Sequence, residues 1–391
     1  MELGAELIEF SQTEDGVIAT IRRANDDERT EAAYLVGCDG AHSRVRKSLG
    51  VGFAGQTHET QRMVLGDVEV DGLARDAWHM WFDGEDGIML CPLPGTRSWQ
   101  LQASPLLDED GQPVEPSLEV FQQIFDQRAG LPGVRLHDVT WLSTYRTNVR
   151  MADHFRVGRA FLAGDAAHVH SPAGGLGMNT GIQDAYNLGW KLGLVLSGAA
   201  APGLLDTYEE ERLPIAAWTL DASSERLRVM LDAVREAGGL DAKPVPELLQ
   251  LGLGYRWSSL ARDLTGRAGR VRAGDRAPDA VCRDATGKAV RLFDVFRGPR
   301  FTFLGFGEGC GGALRPAAAR YADRLKTCLI AVPPVAGVDA LIDDQGHALR
   351  AYDITSDTLA LVRPDGYIGL TAPSHDAQAV LGYMEGLGAP G

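Results

Sequence analysis

Asp165 stands between a short apolar run, Ala160 to Ala163, and a loop dense in glycine, an order of residue types suited to gripping a large polar ligand. The run is bounded by Gly158 and Gly164 and reads as a strand inside a parallel or mixed sheet. A carboxylate at such a strand end can accept two hydrogen bonds from vicinal hydroxyls of a sugar-like chain. The following segment, Pro172-Ala-Gly-Gly175-Leu-Gly177-Met178-Asn179, is too rich in glycine for helix and lets backbone approach a flat ligand closely. Thr180 and Gln183 have capping-box spacing, and Ile182, Ala185, Leu188, Leu192 and Val195 recur at helical intervals. The loop is therefore expected to end on a helix N-terminus, whose free N–H groups favour developing negative charge by ~0.3–1 kcal/mol. Any four residues of this run, taken alone, read equally well as a tight strand-to-helix turn.

A second constellation lies upstream. The apolar run Ala32 to Gly37 leads into Cys38-Asp39-Gly40-Ala-His-Ser43-Arg44-Val-Arg46, where a turn opens a basic helix. Ser43, Arg44 and Arg46 supply a hydroxyl and two guanidiniums near a strand end, a set able to bind an anion. The alternative is a surface turn with solvated arginines.

The two constellations, in this order, resemble the DG and GD motifs of the class A flavoprotein monooxygenases, the family of para-hydroxybenzoate hydroxylase, phenol hydroxylase and the aromatic polyketide hydroxylases. The resemblance implies a mixed α/β (α+β) FAD-binding fold like that of para-hydroxybenzoate hydroxylase, an antiparallel substrate-domain sheet and a thioredoxin-like C-terminal domain. It also implies that Asp165, with Gly164, binds the ribityl chain and that Pro172, Gly175, Gly177, Met178 and Asn179 lie against the isoalloxazine. Asp39, Gly40, Ser43 and Arg46 match the DG motif, which serves the FAD pyrophosphate region and has been linked to NAD(P)H use. The implied reaction is hydroxylation of a small phenolic or polyketide-type aromatic substrate with NAD(P)H and O₂ through a C4a-hydroperoxyflavin. Backbone donors at Gly177, Met178 and Asn179, with Pro172 near the reactive edge, would serve that chemistry. Baeyer–Villiger oxygenation on the same fold and a non-catalytic binding homologue stay open.

One family element is missing. No GxGxxG precedes the DG motif, and by comparison with the family roughly one hundred residues carrying the ADP half-site are not represented. A truncated or misplaced start, a short homologue, and a fragment completed by another polypeptide all fit.

The elements that must position these residues follow from the remaining pattern. Leu3 to Ser11 and Gly16 to Arg23 alternate around Thr-Glu-Asp-Gly as a hairpin. MVLGDVEV, AWHMWFD, GIMLCPLP and SWQLQAS read as an antiparallel sheet, which in the resembled family lies over the flavin face. Trp78, Met80, Phe82 and Met89 are expected to roof a substrate pocket, with Arg146 as a further contact to flavin or substrate; ordinary sheet packing explains many of them equally well. Leu204-Leu-Asp-Thr-Tyr208-Glu-Glu-Glu211-Arg212-Leu-Pro214 matches a family segment, and a helical stretch is expected through Glu236. Gly252-Leu-Gly-Tyr255-Arg256-Trp257 resembles a segment preceding a substrate-side loop of the polyketide branch. Beyond a Gly- and Arg-rich linker near Gly266 to Pro278, alternating strands and helices resemble the C-terminal domain of phenol hydroxylase. The resulting division is 1–61 and 158–271 for the FAD-binding parts, 62–157 for the substrate sheet and 272–391 for the thioredoxin-like domain.

Composition excludes several classes. A net charge of −15 without a basic tract argues against nucleic acid or an anionic membrane surface, and no apolar stretch reaches spanning length. Five cysteines without CxxC or metal-like spacing fit reduced thiols in a cytoplasm. Cys310 lacks a redox partner, so the C-terminal domain is assigned a structural or oligomerising role, compatible with a homodimer. His168 and His170 form an HxH pair with no third ligand in view, so no metal is expected and a role in orienting the loop or touching substrate is preferred.

Overall fold

Alternating residues around Thr13 and Gly16 build the expected hairpin, β1 (Ala5–Gln12) against β2 (Val17–Arg23). A third strand, β3 (Asp26–Ala32), extends it; its sequence DDERTEA is exposed throughout, a charged edge that discourages further pairing. The computed structural model describes all residues except 25, 84–85, 172–174, 236–248, 267–268, 332–338 and 389–391.

The two motif-bearing strands lie side by side. The apolar run before the DG turn forms β4 (Leu35–Gly37), parallel to β11 (Ala160–Leu162), with β10 (Arg156–Val157) antiparallel beyond it. Both sequence constellations therefore leave the same end of one small sheet, at the C-termini of its two parallel strands. The helix α1 (Arg44–Ser48) follows the first, and α3 (Gly177–Leu196) follows the second. Phe161 and Leu162 are sealed beneath by Tyr208 of α4 (Asp206–Arg235), whose hydroxyl donates to the Leu162 carbonyl at 2.7 Å.

The strands between the motifs form the expected antiparallel sheet. They are β5 (Phe53–Asp71), β6 (His79–Asp83), β7 (Asp86–Pro92), β8 (Ser98–Ala103), β9 (Arg135–Ala152) and β12 (His168–Val169), in the order β12-β9-β5-β8-β7-β6. One face is closed by α2 (Leu118–Ala129), capped by Ser117 and ended by Gly130 at φ 59°. Val68, Leu90, Trp99 and Leu101 pack there against Phe121, Ile124 and Phe125. The first two strands of that order matter most for the site, because β12 carries His168 straight out of the GD turn onto β9.

The C-terminal part contains β13 (Arg262–Asp263), β14 (Val281–Arg283), β15 (Ala289–Arg291), α5 (Leu292–Phe296), β16 (Phe301–Phe306), α6 (Gly311–Arg320), β17 (Leu325–Ile330), β18 (Ala340–Leu341), α7 (His347–Ala351), β19 (Thr358–Val362), β20 (Ile368–Pro373) and α8 (Ala377–Leu387). Its sheet runs β13-β20-β19-β16-β17-β18, with β16 and β17 parallel and β19 and β20 antiparallel, the arrangement expected of a thioredoxin-like domain. Strands such as FTFLGF are buried throughout because both faces are covered: Phe301 and Phe303 enter one core, Leu304 and Phe306 the other. Cys310 is buried, its thiol pushed up to about 12 chiefly by burial, and it donates to the Phe306 carbonyl; the five cysteines are all free thiols. Among the described residues no helix is long and apolar enough to cross a membrane.

Candidate functional site

A cleft of about 740 Å³ opens where the DG turn, the substrate sheet and the GD loop meet. Ala41 and His42 come from the first, Thr57, Thr144, Tyr145, Arg146 and Asn148 from β5 and β9, and Asp165, Val169, His170, Ser171 and Gly175 to Met178 from the last. Gly164 makes the junction possible. It sits at φ 59°, which turns the chain out of β11, and a Cβ on Gly181 would lie 3.1 Å from the Gly164 Cα, so strand and helix touch backbone to backbone. The Gly164 N–H is taken by Asp184 at 3.0 Å.

Asp165 emerges from that turn exposed to the cleft and has no hydrogen-bond partner among the described residues. The first turn of α3 faces the same space at Gly177 and Met178. With Leu176 as its N-cap and no side-chain cap, the first backbone N–H groups of the helix have no acceptor within it. An open carboxylate and an open helix N-terminus on one cleft suit a ligand that has hydroxyls at one end and an anionic edge at the other. FAD meets that description, and Asp165, Gly175, Gly177 and Met178 are the residues that would hold it. Asn179 is exposed beside them but does not line the cleft, and Pro172 lies outside the described residues.

The helix begins three residues before the expected capping box, and its faces are exchanged. Thr180 does not cap; its hydroxyl donates back to the Leu176 carbonyl at 2.9 Å. Ile182 and Ala185 point outward, while Thr180, Asp184, Asn187, Leu188 and Lys191 are buried. A polar stripe faces inward because it has charged partners there. Asp184 accepts from Arg212 Nε at 2.7 Å and lies 2.6 Å from His168 Nε2; Arg212 also donates to the Tyr255 hydroxyl at 2.9 Å. Burial by itself would raise the Asp184 carboxyl, but the His168 hydrogen bond and the Arg212 charge outweigh it and hold the group below the usual range. Tyr255 is thereby part of an internal seam, its ring tilted against that of Tyr367 with centroids 4.4 Å apart.

The DG residues are placed behind the cleft. The Asp39 carboxylate accepts from the Ser43 hydroxyl at 2.5 Å and from the backbone N–H groups of Arg44 and Val45, while Ser43 caps α1. Arg46 is buried, with its guanidinium 3.6 Å from the Phe53 ring centroid. It donates to the carbonyls of Ala41 at 2.7 Å and Ala166 at 2.8 Å, so one side chain ties the DG turn to the GD turn. Gly40, at φ 78°, lets the turn form, and only Ala41 and His42 of this motif reach the cleft. Arg46→Ala is expected to lower stability by about 2–3 kcal/mol, since two charge-assisted bonds to buried carbonyls are lost, and to loosen the cleft. Urea unfolding and a ligand-binding titration on the same variant measure both effects.

The expected roof is elsewhere. Met80 pairs with Met89 in register, and Trp78, Met80 and Phe82 are exposed, well away from the cleft lining, whereas Trp81 packs on Phe125. Alternation in β6 and β7 sends one set of side chains to the α2 core and the other outward. The sheet residues that do meet the cleft belong to β5 and β9: Thr57, Tyr145, Arg146 and Asn148. Of the sequence candidates only Arg146 is among them. Burial and the nearby Asp165 charge raise the Tyr145 hydroxyl, which donates to the His170 carbonyl at 3.4 Å.

Comparison with known proteins agrees with this geometry. Residues 1–223 match the FAD binding domain family, and residues 270–386 match the family described as aromatic-ring hydroxylase, C-terminal. The chain belongs to the FAD-dependent aromatic hydroxylases. It is 42% identical to a flavin-dependent monooxygenase of Mycobacteroides abscessus over 388 residues, covering 98% of this chain and 73% of that protein. It is 32% identical to pentachlorophenol 4-monooxygenase of Sphingobium chlorophenolicum, covering 94% of this chain and 71% of the relative. The solved ternary complex of aklavinone-11 hydroxylase with FAD and aklavinone superimposes with a TM-score of 0.79 at 27% identity, over 98% of this chain and 73% of that one.

Proposed function

We propose that this chain is the flavin- and substrate-binding body of a monooxygenase that hydroxylates a phenolic or polyketide-type aromatic ring, with NAD(P)H as reductant and O₂ as oxidant. The observation that carries the reading is the cleft itself: the open Asp165 carboxylate and the uncapped N-terminus of α3 share it with polar side chains of β5 and β9. Bound FAD supplies the oxygen-activating redox chemistry. The protein's part is to anchor, orient and shield. Asp165 takes the sugar-like hydroxyls, the N–H groups at Gly177 and Met178 meet the anionic edge, and Asn179 and Pro172 continue that loop. Arg46, Asp39, Ser43 and Gly40 fix the DG turn so that the pyrophosphate side of the cofactor has a defined wall. Thr57, Tyr145, Arg146 and Asn148 face the substrate side. Residues 1–61 with 158–271 serve the cofactor, 62–157 the substrate, and 272–391 brace α3. Relatives that act on pentachlorophenol and on aklavinone support an aromatic substrate with a free hydroxyl, and free thiols throughout suit a cytoplasmic enzyme.

The test is the flavin-to-protein ratio of the purified chain, before and after addition of FAD, read from the visible spectrum. Near-stoichiometric flavin, followed by phenol-dependent NAD(P)H oxidation, is the expected result. A folded protein that takes up no flavin refutes it.

A further inference from the structure

We propose that a second cleft, where α3 meets the C-terminal part of the chain, binds a planar aromatic carboxylate, with the Arg276 guanidinium holding its charged end. This site goes beyond the flavin reading and does not depend on it, since the two clefts share no lining residue.

The space measures about 420 Å³, within the range of small-ligand sites. Three segments far apart in sequence wall it. Ile182 and Tyr186 come from α3, Phe293 and Phe296 from α5, and Tyr367 from the hairpin of β19 and β20, with Tyr255 packed against it. The walls are fixed by their own contacts. The Tyr186 hydroxyl donates to the Pro364 carbonyl at 3.2 Å, Asp279 accepts the Phe293 N–H at 3.0 Å, and the Phe293 and Phe296 ring centroids lie 6.2 Å apart. Even so, Tyr186 is 60% exposed, Ile182 59% and Phe293 46%. Large apolar side chains that converge from separate segments on one hollow, and stay open to water there, mark a surface that a ligand covers.

Charge decides which ligand. Arg276 lines the same hollow, half-buried, with its guanidinium carbon 5.7 Å from the Tyr367 ring centroid and Nη2 donating to the Tyr367 hydroxyl at 3.4 Å. It has no carboxylate partner among the described residues, so most of its five N–H donors are unspent. The one acid of the lining, Asp365, is already committed: it accepts from Arg363 Nε at 3.0 Å and from Trp190 Nε1 at 3.0 Å. Arg297 adds a second guanidinium at the rim, 3.3 Å from the exposed Asp294. On a chain of net charge −15, a hollow whose unbalanced charge is positive is a local exception that favours anionic guests. The guanidinium fork matches the two oxygens of a carboxylate, and the ring walls match a flat aromatic body. An inorganic anion would satisfy Arg276 but leave the aromatic walls wet. A neutral aromatic would cover the walls but leave Arg276 unpaired.

The test is calorimetric titration of the purified chain, kept at saturating FAD, with 2-naphthoate and with its neutral twin 2-naphthamide. One naphthoate per chain is expected, bound at least about tenfold more tightly than the amide, the worth of a charge-assisted hydrogen bond. Arg276→Gln should erase that preference, and Phe293→Ser should weaken both probes. Neither residue lines the flavin cleft, so the flavin absorbance of both variants should match wild type, and circular dichroism checks their folding. No binding, or equal binding of the two probes by wild type, overturns the proposal without recourse to any variant. An undiminished preference in Arg276→Gln places the probe elsewhere and overturns it too. A chain that takes up no flavin yet discriminates the probes through Arg276 supports the carboxylate site and refutes the flavin reading alone.

Discussion

Glu211→Ala is expected to cost about 3–5 kcal/mol of folding free energy, among the largest single-residue losses in the molecule. Glu211 is fully buried on α4 and joins two halves of the protein. Lys191 of α3 donates to it at 2.8 Å, Asn187 at 2.7 Å and Ser258 at 2.7 Å, and Arg363 reaches it from the turn between β19 and β20. Arg363 also pairs with Asp365, which accepts from Trp190 of α3 at 3.0 Å. The tip of a C-terminal hairpin is thus plugged into the back of the helix whose front end meets the cleft. Removing the carboxylate leaves Lys191 and Arg363 as buried cations with too few partners, which costs far more than the pair contributes when intact. Urea unfolding followed by tryptophan fluorescence measures the loss, and Glu211→Gln, which keeps the shape and part of the hydrogen bonding, should lose less. A second readout is pH. Burial opposes ionisation of Glu211, but Arg363 and Lys191 prevail and hold its carboxyl well below the ordinary value. A carboxyl depressed in the folded state contributes stability above its unfolded value, near 4.5, and loses it as pH falls toward the folded one. Wild-type stability should therefore drop below about pH 4.5, and Glu211→Ala should flatten that drop. An unchanged acid limb in the variant would show that other carboxylates govern it.

This cluster also marks where the sequence stops being legible. The helical period of α3 could be read from Ile182, Ala185, Leu188, Leu192 and Val195, yet of these only Leu188 is fully buried. Apolar spacing identifies a helix and assumes that its apolar stripe faces inward. Here Asp184, Asn187 and Lys191, at intervals of three and four, face inward instead, because Arg212 and Glu211 on α4 and His168 on β12 satisfy them. The spacing is visible in the sequence; the partners are not, since they come from 16 residues upstream at His168 and up to 28 residues downstream at Arg212. The glycine-dependent parts read more directly. Gly164 at φ 59° and the backbone contact at Gly181 are requirements on single positions, which residue type alone expresses. The DG motif lies between these cases. Its residue types announce an anion site, but Asp39 and Ser43 spend their hydrogen bonds on capping α1, and Arg46 spends its own on two carbonyls. Trp78, Met80, Phe82 and Met89 do not line the cleft for a different reason: alternation says that two faces exist in β6 and β7 but not which strands of a six-stranded sheet border the cleft, and β9 lies next to β12.

Asp165→Ala is expected to weaken FAD binding by about 10–100-fold, the largest effect on function available from one side chain outside the buried network. The reasoning is specific to its surroundings. Asp165 makes no hydrogen bond within the described protein, so its removal breaks nothing that holds the fold, and urea unfolding of the apoprotein should be unchanged. Its neighbour Gly164 keeps the turn through φ 59° and the bond to Asp184, neither of which depends on the Asp165 side chain. What is lost is a charged acceptor for hydroxyls, worth about 1.5–3 kcal/mol, and each 1.4 kcal/mol is tenfold in affinity. Asp165→Asn should fall between the two, because it keeps one acceptor oxygen without the charge. Equilibrium titration of apoprotein with FAD, followed by flavin fluorescence, measures the series. Equal affinity for all three proteins would mean that the hydroxylated end of the cofactor lies elsewhere in the cleft. A loss confined to Asp165→Ala would mean that acceptor geometry, and not charge, makes the contact. The loss should also be independent of the C-terminal plug, since the hairpin tip is joined to α3 behind the cleft while Asp165 stands in front of it. Combining Asp165→Ala with Glu211→Gln should therefore add the binding loss of one to the stability loss of the other, as expected for sites that share no partner.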